Sequence, residues 1–109
     1  MNQLLRYVTG AGEVVVSDWL NGLRDGQAKA RIAVRFLRLA VGNFGDCKPV
    51  GSGVWEMRID HGPGYRVYYA MAAKKCVLLL CGGDKRRQSA DIARAIGYWI
   101  DYRERTGAP

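Results

Sequence analysis

Hydrophobic and polar positions alternate most sharply over residues 54–60. Trp55, Met57 and Ile59 point one way and Glu56, Arg58 and Asp60 the other, the period-two signature of a strand. Asp60-His61-Gly62-Pro63-Gly64 has the length and turn chemistry to close a hairpin. Residues 65–72 then return, with Val67, Tyr69 and Met71 on the apolar side and Arg66 and Tyr68 on the other. After a turn at Lys74-Lys75, residues 76–81 are apolar at every position, as in a strand covered on both faces. Gly82-Gly83 is expected to end that strand.

The flanking segments carry the helical period. Residues 3–8 predict an opening strand, broken at 10–12 by glycine. Val15, Val16, Trp19, Leu20 and Leu23 recur at helical spacing, although the β-branched run at 14–16 blurs where the helix starts. A second helix is predicted over 27–41. Its apolar stripe is Ile32, Ala33, Phe36, Leu37 and Ala40, its cations are Lys29, Arg31, Arg35 and Arg38, and Gly42-Asn43 is its stop. The short link between the two predicts an antiparallel helical hairpin. Residues 43–53 are rich in turns, with room for a short strand at 48–50. A last helix over 88–104 is expected to bury Ile92, Ile96, Trp99 and Ile100. The order predicts one α+β domain over 1–109, with helices against one face of an antiparallel meander.

A chain of 109 residues fits one domain, and 49% hydrophobic residues suffice for a core without staples. The net charge is +7. The excess is mostly arginine, 12 against 5 lysines, and the guanidinium fork suits phosphate and carboxylate. Three cysteines, an odd number, and no secretory apolar run at the start point to the reducing cytosol. No apolar stretch has the length of a membrane span. Cys76 and Cys81 fall on opposite faces of a strand and His61 is the one histidine, so neither a metal site nor a cofactor is expected.

The candidate chemistry is cationic. Arg58 and Arg66 share the polar face of neighbouring strands, and Lys85, Arg86 and Arg87 follow the next strand. Fixed cations of this kind bind a phosphate backbone and stabilise the charge of a pentavalent transition state. The plainer alternative is salt bridging, with Arg58 serviced by Glu56 or Asp60. Tyr68, on the polar face, is placed to stack on an unpaired base, whereas Tyr69 reads as packing. His61 is either a solvated loop residue or an acid–base group. Trp19 and Trp99 read as core. Gly51-Ser52-Gly53 and Gly82-Gly83 lack the spacing of a phosphate-binding loop, and Cys81 lacks the neighbours of a nucleophile.

Four segments carry a family likeness: DWLNGL at 18–23, GNFGD at 42–46, GVWEMRIDHGPGYRVYY at 53–69 and LLLCGGDKRRQSADIARA at 78–95. Together they resemble the RelE/ParE superfamily of bacterial type II toxins, nearest its HigB-like branch of addiction-module killer proteins. The resemblance implies a RelE-like fold and a ribosome-dependent, metal-independent endoribonuclease that cuts mRNA by 2′-hydroxyl attack. In that scheme Arg58 and Arg66 hold the phosphate, and Lys85 or Arg86 serves the leaving oxygen. Lys48, Tyr68, Arg86 and Arg87 bind RNA. It also implies a cognate helix-turn-helix antitoxin, with the ribosome and mRNA as further partners. Other family members carry a tyrosine or histidine near the C-terminus as acid or base; residues 88–92 hold neither. Gyrase poisoning of the ParE type, or a non-catalytic binding role, is the alternative on the same fold.

Overall fold

Each of the predicted elements forms, and the sheet gains a parallel edge. The computed structural model describes residues 1–107. β1 (Gln3–Arg6) leads into α1 (Val15–Gly22) and α2 (Gly26–Ala40). β2 (Cys47–Gly51), β3 (Val54–Ile59), β4 (Tyr65–Ala73) and β5 (Cys76–Asp84) follow. A 3-10 turn at Lys85–Arg87 then opens α3 (Gln88–Thr106). The sheet order is β1-β5-β4-β3-β2. β2 to β5 form the expected antiparallel meander, and β1 adds in parallel to β5. The architecture is α+β and compatible with a RelE-like fold.

Local chemistry explains the boundaries. The Asp25 carboxylate accepts from the N–H groups of Gln27 at 3.0 Å and Ala28 at 3.2 Å, capping α2. Gly107 ends α3 in the left-handed region at φ 68°, which costs a residue without a Cβ nothing. The β2–β3 turn at Gly51-Ser52-Gly53 uses three positive φ values, with Ser52 at 54°.

The sheet is covered on both faces, where the sequence predicted helices on one. Under α1 and α2, Met57, Ile59, Val67, Tyr69, Val77 and Leu79 meet Val16, Ile32, Phe36 and Leu39. On the other face Val54, Tyr68, Ala70, Leu78 and Leu80 meet Ala95 and Trp99 of α3. The charges of β3 and β4 made that second face read as solvent. It is a mixed face, apolar at one end and charged at the other. α1 and α2 pack chiefly on the sheet rather than on each other. The buried stripe of α2 is Ala28, Ile32, Phe36 and Leu39, so it is rotated from the predicted one, and Leu37 is 70% exposed. Ile100 of α3 is likewise exposed.

Gly82 and Gly83 lie inside β5 instead of ending it, and close approach explains both. A Cβ at Gly82 would sit 2.2 Å from the Trp19 ring on the α1 side. One at Gly83 would sit 1.9 Å from Asp91 Oδ2 on the α3 side. The pair lets helices approach the same strand from opposite faces. Gly82→Ala is therefore expected to destabilise by about 2 kcal/mol or more through overpacking. Gly97→Ala, on α3 with no neighbour within 4 Å of its Cβ position, is expected to stabilise by up to about 1 kcal/mol. Urea unfolding of the two variants checks the contrast; equal stabilities would contradict it.

Candidate functional site

Strand register builds the charged end of the second face. Lys48 of β2 lies opposite Glu56 of β3, which lies opposite Tyr68 of β4. One rung further along, Arg58 lies directly opposite Arg66, and Arg66 opposite Gly83 of β5. Two like charges facing each other across a strand pair are unfavourable unless anions compensate. Each arginine has its own acid. Arg58 Nη2 is 3.0 Å from Asp46 Oδ1, and Arg66 Nε is 3.5 Å from Glu56 Oε2. The sequence had offered Glu56 or Asp60 to Arg58; the structure assigns Asp46.

Glu56 is completely buried. Its Oε2 accepts from Tyr68 Oη at 3.2 Å and from Gln88 Nε2 at 2.7 Å. Lys48 Nζ approaches Oε1 at 3.9 Å, and Oε1 accepts no hydrogen bond among the described residues. One carboxylate thus ties β2, β4 and the start of α3 to β3. Arg66 Nη1 also donates to the Gly64 carbonyl at 2.7 Å, so the hairpin loop helps to aim the guanidinium. On the opposite side of the sheet, Arg35 of α2 donates to the carbonyls of Arg58 and Phe44, fixing the loop that delivers Asp46.

Beside these groups opens a cleft of about 440 Å³ lined by Arg58, Arg66, Lys85, Asp46, Asp60 and the 62–64 loop. Arg58, Arg66 and Lys85 are thereby brought together, and Lys48 lies on the same face beside Glu56. Arg86 pairs with Asp84 at 3.1 Å and is mostly exposed. Arg87 lines a separate cleft with Trp19, Asp91 and Arg94. Among the described residues neither Lys85 nor Arg87 has a carboxylate within 4.0 Å. Tyr68 departs from its expected role. Its ring has no exposed surface, burial pushes its hydroxyl well up, and it has no face to offer a base. His61 pairs with Asp25 at 2.9 Å at the start of α2. Cys81 is fully buried and its thiol is pushed up to about 11 by burial, so it is no nucleophile. No group of three or more metal-ligating side chains lies together among the described residues.

Three contributors escaped the sequence. Asp46 sits in a turn with no periodicity to place it, and Gln88 looks like any polar residue at a helix start. Asp91 is the third. It is 3% exposed over Gly83, its Oδ2 without a hydrogen-bond partner, and its carboxyl is raised by burial against the pull of Arg94 and Arg87. The available signal was an acid inside the apolar stripe of α3, one turn before Ala95.

Two stability predictions arise here. Glu56→Leu leaves Arg66 buried without its anion and is expected to cost about 3–5 kcal/mol, with Glu56→Gln costing less. Denaturant unfolding of both checks the order; a Leu variant as stable as wild type contradicts it. Asp91 has a folded pKa above its unfolded value. Its contribution is therefore full below the ordinary value of 3.8 and is lost as pH rises through the raised one. Asp91→Asn should flatten stability against pH in that window, and an unchanged slope would contradict the assignment.

Comparison with known proteins places these residues in a family. The model of the family described as phage derived protein Gp49-like (DUF891) matches residues 18–96, from α1 to well into α3. That span contains every residue of the cationic cleft. An uncharacterized protein of Haemophilus influenzae is 52% identical over 77 residues, covering 71% of this chain and 78% of that protein. The chain belongs to the phage-derived Gp49-like family, a family of addiction-module toxin-like proteins.

Proposed function

We propose that this protein is the toxin of a type II toxin–antitoxin module, and that it acts as a ribosome-dependent mRNA endoribonuclease of the RelE/ParE superfamily. Membership of the Gp49-like family is consistent with the toxin role. The observation that carries the catalytic reading is the Arg58–Arg66 pair. The two arginines face each other across adjacent strands and line an open cleft, Arg58 paired with Asp46 at its edge and Arg66 with buried Glu56. A site that keeps two guanidiniums together is already arranged for an anion, so little reorganisation is needed when a phosphate enters.

In this reading an mRNA phosphate enters the cleft between Arg58, Arg66 and Lys85. The 2′-hydroxyl of the preceding ribose gives up its proton to solvent water as its oxygen attacks the phosphorus, and the bond to the 5′-oxygen breaks. The products are a 2′,3′-cyclic phosphate and a 5′-hydroxyl. Arg58 and Arg66 take up the charge that grows on the equatorial oxygens, and Lys85 delivers a proton to the departing 5′-oxygen. Lys48 contacts the flanking backbone, with Arg86 and Arg87 as outlying RNA contacts. The carboxylates lining the cleft are Asp46, bonded to Arg58, and Asp60. Charge stabilisation is thus the main contribution of the site. The ribosome supplies the bound mRNA, the cytosol is the compartment this implies, and the cognate antitoxin is a helix-turn-helix protein. No helix of the described residues is long and apolar enough to cross a membrane.

Arg58→Ala and Lys85→Ala are each expected to lower cleavage of ribosome-bound mRNA by about 10²–10³-fold while leaving the fold intact. Arg66 balances a buried acid, so its removal is tested in an Arg66→Ala, Glu56→Gln chain. Primer extension on translating ribosomes reads the cuts. Full activity in a folded Arg58→Ala, Lys85→Ala double variant contradicts the site. Uncut mRNA together with blocked gyrase supercoiling would replace the reaction with gyrase poisoning.

A further inference from the structure

α2 carries two apolar stripes, and only one of them is used by the fold. Ala28, Ile32, Phe36 and Leu39 are buried on the sheet. On the opposite side of the helix, Ala30, Val34 and Leu37 line up with Val41, the residue that follows the last turn. All four are exposed, Val34 by 43%, Leu37 by 70% and Val41 by 65%. Their spacing of four, three and four residues is that of the contact seam between two packed helices. Soluble proteins leave single apolar side chains exposed without consequence, but an aligned stripe on one helix face is a contact surface in want of a partner.

Charge selects the partner. Arg31, Arg35 and Arg38 run along one flank of this stripe, where Ala30, Val34 and Ile59 form the apolar part of a groove of about 380 Å³. Lys29 lies on the other flank, and the one acid at the groove is Asp60. A second copy of this chain would bring the same cations face to face, at a net charge of +7 per copy. A membrane surface fits poorly, because the stripe holds one alanine, two valines and one leucine and no aromatic residue to seat in the interface. We propose that the outer face of α2 docks an acidic amphipathic helix of a partner protein. Apolar residues at its a and d positions would meet Val34, Leu37 and Val41, and its glutamates or aspartates would meet Arg31 and Arg38. This deepens the toxin reading by naming the surface its protein partner covers, and rests on that reading only for the partner's biological role. The groove beside this face and the Arg58–Arg66 cleft meet at Ile59 and Asp60, which line both.

The test uses the full chain and two synthetic four-heptad helices, both with leucine at a and d. One carries glutamate at e and g, the other lysine. Calorimetric titration is expected to show binding of the acidic helix alone, weakening as salt rises. Leu37→Asn and Arg38→Gln, both on the exposed face, should each weaken it by roughly tenfold. Four results overturn the proposal: no binding of the acidic helix, equal binding of both helices, binding unaffected by Leu37→Asn, or binding to anionic phosphatidylserine vesicles that Leu37→Asn abolishes. Wild-type protein should sediment as a monomer, and self-association lost in Leu37→Asn would assign the face to a second copy instead. No ribosome or mRNA is present, so failure here is distinct from failure of the cleavage reaction.

Discussion

A carboxylate without contact with water sits in the middle of this sheet, and the site is arranged around compensating it. Glu56 is buried, and an isolated buried charge would be prohibitive. It is offset by Arg66, by Lys48 at longer range, and by hydrogen bonds from Tyr68 and Gln88. Those four groups come from β4, β2 and the start of α3, so satisfying one acid sets the approach of three elements. The same requirement holds the Arg66 guanidinium at the rim of the cleft. The charge that stabilises the site and the charge proposed to act on the phosphate are the same group.

The second acid works from outside. Asp46 reaches Arg58 from the β2 approach, and that approach is held by Arg35 reaching across from α2. The loop glycine beside it, Gly45, stands at φ 66° with the Arg35 guanidinium 3.0 Å from where a Cβ would be. Helix α2 thus contributes to the site through backbone positioning, although none of its side chains lines the cleft. Its inner face serves the core, its Arg35 serves the loop, and its outer face remains available for another molecule.

Much of this was legible in the sequence. The alternation from Trp55 to Asp60 and its return from Tyr65 placed Arg58 and Arg66 on one face, and the register confirms them as direct neighbours. The position of Lys85 followed from the end of β5. Burial was harder to read. Period-two alternation says which residues share a face but not whether a helix covers it, and α3 arrives from the far end of the chain to bury Tyr68 and Glu56. The same gap misplaced Leu37. Two apolar stripes on one helix have the same period, and only the tertiary fold shows which of them meets the sheet. Gly82 and Gly83 looked like a strand end because nothing local announces Trp19 or Asp91, each distant in sequence and pressed against a bare backbone.

The central claim is that two arginines held by separate acids, with Lys85 beside them, stabilise phosphodiester cleavage in mRNA. Its most direct measurement is the chemistry of the RNA ends formed when purified protein meets ribosomes programmed with a defined message. The account predicts fragments ending in a 2′,3′-cyclic phosphate, each matched by a 5′-hydroxyl partner, as internal attack by the 2′-oxygen requires. Message that stays full length under conditions where the folded protein occupies the ribosome, or fragments carrying a 5′-phosphate, would contradict it.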